Sequence, residues 1–359
     1  MQLMKNIKEY QAYILFPLAL LYWGLVFWRN FFYRHNFFVK RKLPCKVISI
    51  GNITLGGTGK TPTVIYLCRV LKKNNYKTAI LSRVYQRKTK GTLLASSGDG
   101  PLHSWQEVGD EPFMIATKLK GVPIVVDEDR FRGGMFLIKK YNPDIIILDD
   151  GFQHRSLYRD LDIVLLNGSD TQNSHKLLPY GYLREPWINI KRADAIFITK
   201  RHPQPFLKRK ILDSKLPLFQ TKIKITISKS NKNNLELPNN LLDVKVLLLS
   251  GIGDPTHFEQ TALHLGCNVR GITNFPDHFI FTKNHILETE GKAKELKANY
   301  ILTTEKDWIR IKELDPEFPF IVIDIGIRTV DESRLINVIN KKLYSISGPY
   351  PMQKQHQQM

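Results

Sequence analysis

Apolar positions in this chain recur in two rhythms. Past Lys42, short apolar runs at Val47–Ile50, Thr78–Leu81, Ile124–Val126, Ile145–Leu148, Ile163–Leu166 and Ala195–Ile198 predict buried strands. Between them Val64–Lys73, Pro112–Lys120 and Arg132–Tyr141 show helical spacing. Strands alternating with amphipathic helices predict an α/β fold, a doubly wound parallel sheet covered on both faces. From Thr221 the stretch TKIKITISKS alternates like an exposed strand, and NKNNLELPNN up to Asn240 reads as a polar linker. A second, smaller α/β block follows, with strands at Val246–Leu249, Ile301–Leu302 and Phe320–Ile325. The expected units are an N-terminal segment 1–42, a domain 43–222, a smaller domain 223–345 and a disordered tail 346–359.

The N-terminus follows neither rhythm. Ala12–Trp28, AYILFPLALLYWGLVFW, carries no charge and is flanked by Lys5, Lys8, Arg29 and Arg34. A bilayer-spanning helix needs about 20 apolar residues, so the run is short for that purpose. No small-residue cleavage site follows it, which argues against a signal peptide. Trp23, Trp28, Phe31, Phe32, Tyr33, Phe37 and Phe38, mixed with Arg29, Arg34 and Lys40, resemble an interfacial belt. The segment is therefore expected to associate with one membrane face, the alternative being an ordinary buried first helix.

Composition narrows the partners. The 359 residues include 53 Lys and Arg against 33 Asp and Glu, a net charge of +20 that favours anionic partners. No nucleic-acid-binding module accompanies that charge, and no nucleic acid is expected. Cys45, Cys68 and Cys267 are too few and scattered for a disulfide framework or a thiolate metal site, which suits a reducing compartment.

Chemistry concentrates at a few turns. TLGGTGKT, Thr54–Thr61, lies between a strand and a helix, the context of a phosphate loop whose backbone N–H groups face phosphate oxygens. Its first consensus glycine is replaced by Thr54, while Gly56, Gly57 and Gly59 keep the turn flexible. Lys60 is placed to meet the transferred phosphate and Thr61 a metal ion. DIIILDDGFQHR, Asp144–Arg155, is a buried strand that delivers Asp149 and Asp150 together at its carboxyl end, where ligands of doubly wound sheets and Mg²⁺ are held. Asp110 in GDEP reads either as a helix N-cap or, with Glu111, as a base or metal contact. Arg130 and Arg132 follow another strand end and suit bidentate phosphate contacts. Asp277 and His278 place a carboxylate beside an imidazole in an aromatic loop, a pair that is either structural or joins proton transfer. Thr303–Asp307 follows a strand at a position suited to reading a base or ribose. A guanine signature of the Asn-Lys-x-Asp type is missing at Thr199–His202, which favours ATP over GTP.

In order along the chain, the apolar N-terminal helix, GNITLGGTGKTP, LSRVYQRK, VGDEP, DEDRFRGG, LDDGFQHR, LLPYGYLREP, SGIGDPTHF, FPDHF and TTEKDW resemble the tetraacyldisaccharide 4'-kinase family, the lipid A 4'-kinases of Gram-negative bacteria. The resemblance covers roughly nine tenths of the chain, and the ordered set is far more specific than any one motif. That family carries Thr or Ser where Thr54 stands; its LSRGYGR-like loop has glycines where this chain has Val84 and Gln86.

The resemblance implies a P-loop NTPase-like fold and transfer of the ATP γ-phosphoryl group to the 4'-hydroxyl of tetraacyldisaccharide 1-phosphate, giving lipid IVA. It implies Asp110 and His278 as the catalytic pair with Lys60. ATP would lie against Thr54, Gly56, Gly57, Thr58, Gly59, Lys60, Thr61 and Asp307, with Mg²⁺ at Thr61, Glu111, Asp149 and Asp150. Arg130, Gln153, His154 and Arg184 would face the lipid acceptor, and the protein would sit at the cytoplasmic face of the bacterial inner membrane. Two other readings share parts of the pattern. A nucleotide-switched metallochaperone or partitioning ATPase would use the phosphate loop and paired acids, and a basic membrane-associated nucleic-acid binder would use only the charge.

Overall fold

The computed structural model describes residues 2–83, 89–230 and 240–344. Expectations about Val84 and Gln86, most of the linker before Asn240 and the tail 346–359 lie outside the described residues. The first half runs α1 (Gln2–Arg34), β1 (Lys46–Asn52), α2 (Lys60–Lys73), β2 (Thr78–Ser82), β3 (Leu93–Ser96), α3 (Trp105–Val108), α4 (Asp110–Lys118), β4 (Ile124–Val126), α5 (Arg130–Tyr141), β5 (Ile145–Asp149), β6 (Leu161–Asn167), β7 (Ala195–Thr199) and α6 (Pro205–Ser214). The second half runs β8 (Leu218–Ser230), β9 (Lys245–Ser250), α7 (Pro255–His264), β10 (Asn268–Asn274), α8 (Lys283–Glu295), β11 (Tyr300–Thr304), α9 (Glu305–Ile311), β12 (Phe320–Thr329) and α10 (Glu332–Tyr344).

All strands join one sheet of 12, in the order β10-β9-β11-β12-β8-β7-β6-β1-β5-β2-β4-β3. Among the described residues, only the β3/β4 and β12/β8 strand pairs are antiparallel. Every expected strand is present, and each is flanked by buried apolar layers. Two strands escaped the apolar pattern. β3 is a short edge strand, and β10, NVRGITN, is a half-exposed edge with few apolar residues.

β8 departs from the expected linker. Its first residues, Leu218–Gln220, pair parallel with β7, and Thr221–Ser230 pair antiparallel with β12. The strand therefore passes beyond the carboxyl edge of the first sheet and starts the second, whose other strands run back toward it. Thr329 at the end of β12 lies opposite Thr221, so the carboxyl edges of the two halves face each other. The boundary expected at 222/223 falls inside this shared strand. α10, expected with the second unit, returns to the first: Leu335, Ile339 and Leu343 pack with Leu71 and Leu161 in one core.

α1 has two unlike faces. Ala19 and Val26 are buried, Tyr22 donates its hydroxyl proton to the Arg184 carbonyl at 2.7 Å, and Asn30 and Arg29 each reach Glu185 at 3.3 Å. Those positions recur at helical spacing. Leu18, Leu21, Leu25 and Trp28 on the other side are exposed. The helix is thus neither wholly buried nor free, and Leu15–Arg34 is long and apolar enough to cross a membrane.

Close packing at the end of β1 has little slack. A Cβ on Gly51 would fall 2.6 Å from the Phe152 Cβ and 2.8 Å from its backbone nitrogen. Gly51→Ala is expected to destabilise the fold by about 1–3 kcal/mol through overpacking. A melting temperature equal to that of the unaltered protein would contradict the packing.

Candidate active site

The phosphate loop forms where β1 reaches the sheet edge. Asn52 Nδ2 donates to the Thr54 carbonyl at 2.6 Å, and Gln153 Nε2 donates to the Asn52 carbonyl at 2.8 Å. Thr54 bridges to Leu183 and is buried. Gly56 (φ 106°) and Gly59 (φ 80°) adopt left-handed backbone that glycine takes without strain. Thr199 Oγ1 donates to the Thr58 carbonyl at 2.9 Å and pins the loop from β7. Lys60 and Thr61 then open α2, so uncapped backbone N–H groups and the positive end of the helix dipole face the turn. The hydroxyls of Thr54 and Thr58 are buried with no partner among the described residues.

β5 ends in the acid pair beside this loop. Asp149 is buried; Ser82 Oγ donates to its Oδ2 at 3.1 Å, while Oδ1 has no hydrogen-bond partner among the described residues. Burial pushes its carboxyl up to about 7, Glu111 and Asp150 add to the rise, and Lys60 and Arg130 oppose it. Asp150 has a left-handed backbone (φ 50°) and meets Lys60 Nζ at 3.8 Å and Arg184 at 3.2 Å. Burial raises its carboxyl too, but Lys60 and Arg184 outweigh that and hold it below the usual range. An orphaned carboxylate oxygen among mutually repelling acids fits a divalent cation that completes its shell with water and phosphate. Among the described residues, no group of three acidic, His or Cys side chains is already gathered for a metal.

Across the cleft, the second half supplies an imidazole. Asp110 opens α4 after Gly109, and its Oδ1 accepts from the Glu111 N–H at 2.9 Å. Its Oδ2 lies 3.0 Å from His278 Nδ1. Gly109, not Asp110, is the N-cap of α4 and carries no side-chain cap, so the expected capping role is corrected: Asp110 is the first helical residue, with one carboxylate oxygen on the Glu111 N–H and the other on His278. His278 has φ 60°, an uncommon conformation outside glycine that is often kept at functional sites. Lys306 Nζ stands 3.3 Å from His278 Nε2, 3.2 Å from Asp277 and 3.8 Å from Asp110. Burial raises the Asp110 carboxyl, but the His278 hydrogen bond, with Lys306 and Arg310, brings it down to about 2. The hydrogen bond to Asp110 raises His278, against partial burial.

Two expected contacts are corrected. Asp307 is fully buried: Oδ2 accepts from Gly251 N–H (3.1 Å) and Thr304 Oγ1 (2.7 Å), and Oδ1 accepts from Arg310 (2.7 Å). Arg310 also donates to the Phe279 carbonyl, so Asp307 braces the loop that carries His278 instead of facing a nucleotide. Arg130 is buried beneath the acids, donating to the carbonyls of Asp149 (2.9 Å) and Asp127 (3.3 Å); it shapes the β5 turn from behind. Gln153 is committed to the phosphate loop and Arg184 to Asp150. His154 contacts Ser156 Oγ at 2.9 Å, and burial beside Arg130, Arg159 and Arg83 lowers it to about 4, so its ring is neutral near pH 7.

Lys306 was not singled out from the sequence, although it sits in TTEKDW beside the residue that was. Glu185 was also missed. It is buried and shared by Arg29, Asn30, Asn189 and Arg192, and only the neighbouring Arg184 in LREP hinted at its place.

A phosphate loop, an acid pair and a facing carboxylate–imidazole dyad, on opposed carboxyl edges of an α/β sheet, define the class of phosphate-loop proteins built for group transfer across a cleft. A sequence model of the family described as tetraacyldisaccharide-1-P 4'-kinase matches residues 11–344. The chain is 37% identical to the tetraacyldisaccharide 4'-kinase of Aquifex aeolicus over 331 residues, 92% of this chain and 98% of the relative. It is 35% identical to that of Chlorobaculum parvum over 356 residues, 92% of this chain and 96% of the relative. The structure of an "apo" form of LpxK from Aquifex aeolicus in complex with ATP matches with a TM-score of 0.75 at 34% identity, covering 94% of this chain and 100% of that one. The chain belongs to the tetraacyldisaccharide 4'-kinase family.

The dyad carries a pH signature. Asp110 falls from 3.8 to about 2, so its contribution to stability is complete above pH 3.8 and is lost as pH drops through about 2. His278 is raised above 6.5, so its contribution is complete below pH 6.5 and is lost as pH climbs through the raised value. The pair is expected to stabilise most between these limits. His278→Ala should move the Asp110 carboxyl upward in a carbon-detected NMR titration; an unmoved titration would show that the hydrogen bond is not what holds it down.

Proposed function

We propose that this protein transfers the γ-phosphoryl group of ATP to the 4'-hydroxyl of tetraacyldisaccharide 1-phosphate, forming lipid IVA in lipid A synthesis. The observation that carries this reading is the 3.0 Å contact between Asp110 of the first half, which also carries the Lys60 loop, and His278 of the second. The relatives' shared name supplies the acceptor, and the ATP complex of the Aquifex aeolicus protein supplies the donor.

In the proposed reaction, the backbone of Gly56–Gly59 cradles the phosphates and Lys60 neutralises the transferred group. Asp110 accepts the proton of the sugar hydroxyl. A loose phosphoryl-transfer transition state asks mainly for positioning and charge neutralisation, so a low-pKa carboxylate suffices as the proton's final acceptor. His278 and Lys306 keep Asp110 ionised and aimed. Thr61, Asp149 and Glu111 would hold Mg²⁺, with Asp150 steering Lys60; bound there, the cation supplies neutralisation of phosphate charge. Arg184, Gln153 and His154 border the acceptor side and position the loop and acids described above. The apolar face of α1 would rest on the cytoplasmic face of the inner membrane, where a lipid acceptor and ATP meet.

The decisive assay incubates detergent-solubilised protein with γ-labelled ATP, Mg²⁺ and tetraacyldisaccharide 1-phosphate, and asks whether label enters the lipid. Lys60→Ala and Asp110→Ala are expected to reduce transfer on the order of a thousandfold with folding retained. ATP hydrolysis without lipid labelling would instead support a nucleotide switch, and wild-type-like transfer in either variant would remove that residue from the mechanism.

For the surface contact, Leu21, Leu25 and Trp28 changed together to Gln should abolish co-sedimentation with anionic phospholipid vesicles. The docked face of α1, with Tyr22 and Asn30, is untouched, so the melting temperature should hold. Undiminished co-sedimentation would rule out this face as the anchor.

A further inference from the structure

At the foot of α1, Arg155 stands without a carboxylate. Its Nη1 donates to the carbonyl and Oδ1 of Asn30 at 3.3 and 3.0 Å, and its guanidinium covers the Tyr33 ring at 5.2 Å. The Nε and Nη2 edge, the edge that grips two phosphate oxygens in a bidentate contact, has no partner among the described residues. The nearby acids are already engaged: Arg29 and Arg192 share Glu185, and Arg159 holds Asp162 at 2.9 Å.

A second cation is brought alongside by the backbone. Arg41 N–H donates to the Ser156 carbonyl and Tyr158 N–H to the Arg41 carbonyl, both at 2.8 Å, and this bridge sets Lys40 beside Ser156. Lys40 is exposed and makes no ion pair among the described residues. Like charge is felt at both positions. Burial lowers Arg155 to about 10, with Arg192, Arg159 and Arg29 adding to the effect against Glu185. Burial likewise lowers Lys40, followed by Arg155 and Arg159. Cations without a carboxylate partner, each lowered by the other, raise the local affinity for an anion.

We propose that Arg155 and Lys40 form a binding site for a lipid-borne phosphate monoester, the 1-phosphate of the acceptor. This rests on the reading of the reaction given above and adds to it the opposite end of the substrate. The family name places a phosphate at position 1 and the reaction at position 4', on opposite ends of a disaccharide. The chain places Arg155 five residues beyond Asp150 on the loop that leaves β5, under the C-terminal end of the helix with the exposed apolar face. A phosphate held there would fix the register of the sugar so that the far hydroxyl reaches Asp110. Arg155 is a binding and positioning residue in this account and takes no part in the transfer.

The test compares two acceptors in neutral detergent micelles, tetraacyldisaccharide 1-phosphate and the same lipid without its 1-phosphate, with wild type, Arg155→Ala, Arg155→Lys and Lys40→Ala. The wild type must first label the phosphorylated acceptor; if it labels neither lipid, the kinase reading itself fails. Given that activity, Arg155→Ala is expected to raise the KM for the phosphorylated acceptor about tenfold or more. Its KM for ATP and its melting temperature should stay as in the wild type. Arg155→Lys should recover part of the loss, Lys40→Ala should show a smaller rise, and the KM for the dephosphorylated lipid should not respond to any of the three. Equal rises for both acceptors, or none, would overturn the site. A defect seen only when anionic phospholipid is added to the micelles, and equal for the two acceptors, would assign these cations to the membrane surface and overturn the 1-phosphate assignment.

Discussion

β8 pairs parallel with β7 at one end and antiparallel with β12 along the rest of its length, and this single change of sense fixes where chemistry can happen. Parallel sheets collect ligand-binding loops at their carboxyl edges. Two such sheets joined side by side with all strands parallel would place those loops along one rim. Because β8 continues past the rim and the second sheet runs back toward it, the rims oppose each other. The start of α4 and the loop after β7 then meet the loops that follow β9, β10 and β11. Asp110 to His278, Lys200 to Asp254 and Tyr66 to Thr329 are all consequences of that opposition. α10 packs back onto the first half and Lys342 pairs with Asp194 at 2.8 Å, which ties the two halves together at a second place.

Within the cleft, electrostatics rather than shape sets each carboxylate to its state. Asp149 is buried and Asp110 and Asp150 are half-buried, and burial alone would push all three upward. The difference lies in the partners. His278 and Lys306 overcome burial at Asp110, and Lys60 and Arg184 do so at Asp150, whereas Asp149 faces Glu111 and Asp150. Three similar side chains thus become a carboxylate held down by an imidazole, a partner of a lysine, and a carboxyl raised by its acidic neighbours. Such separation of neighbouring carboxyls by environment is how one cleft assigns distinct tasks to identical groups.

The strand pattern of the first half was legible because buried parallel strands are almost uniformly apolar. Runs such as IIIL before Asp149 leave little ambiguity, and the acids that end them mark the rim. β10 was not legible, since an edge strand rich in Asn, Thr and Arg lacks that pattern. β8 alternates as an exposed strand should, but alternation says nothing about which partner lies on each side, and the antiparallel turn-back was invisible. At the site, residues whose motifs carry a known chemistry were found, and those that act by contact across the fold were not. Lys306 and Glu185 owe their importance to neighbours more than a hundred residues away. Asp307 failed for the converse reason, because a carboxylate following a strand looks alike whether it faces a cleft or turns inward to three donors.

α1 shows how such distant contacts join surface to site. Its inward face grips two consecutive residues: Tyr22 holds the carbonyl of Arg184, while Arg29 and Asn30 reach the buried carboxylate of Glu185. Arg184 then places its guanidinium on Asp150, and Asp150 stands beside Lys60. Lifting the helix away would take Arg29 and Asn30 from the buried carboxylate and leave it to Asn189 and Arg192 alone, which opposes the motion. The exposed apolar stripe of Leu21, Leu25 and Trp28 is therefore held in fixed relation to the phosphate loop by three short links. A protein that merely needed anchoring could use a flexible tether. Here the helix that presents the apolar surface also holds the residues that steer Asp150 and Lys60, so the stripe and the phosphate loop keep one geometry.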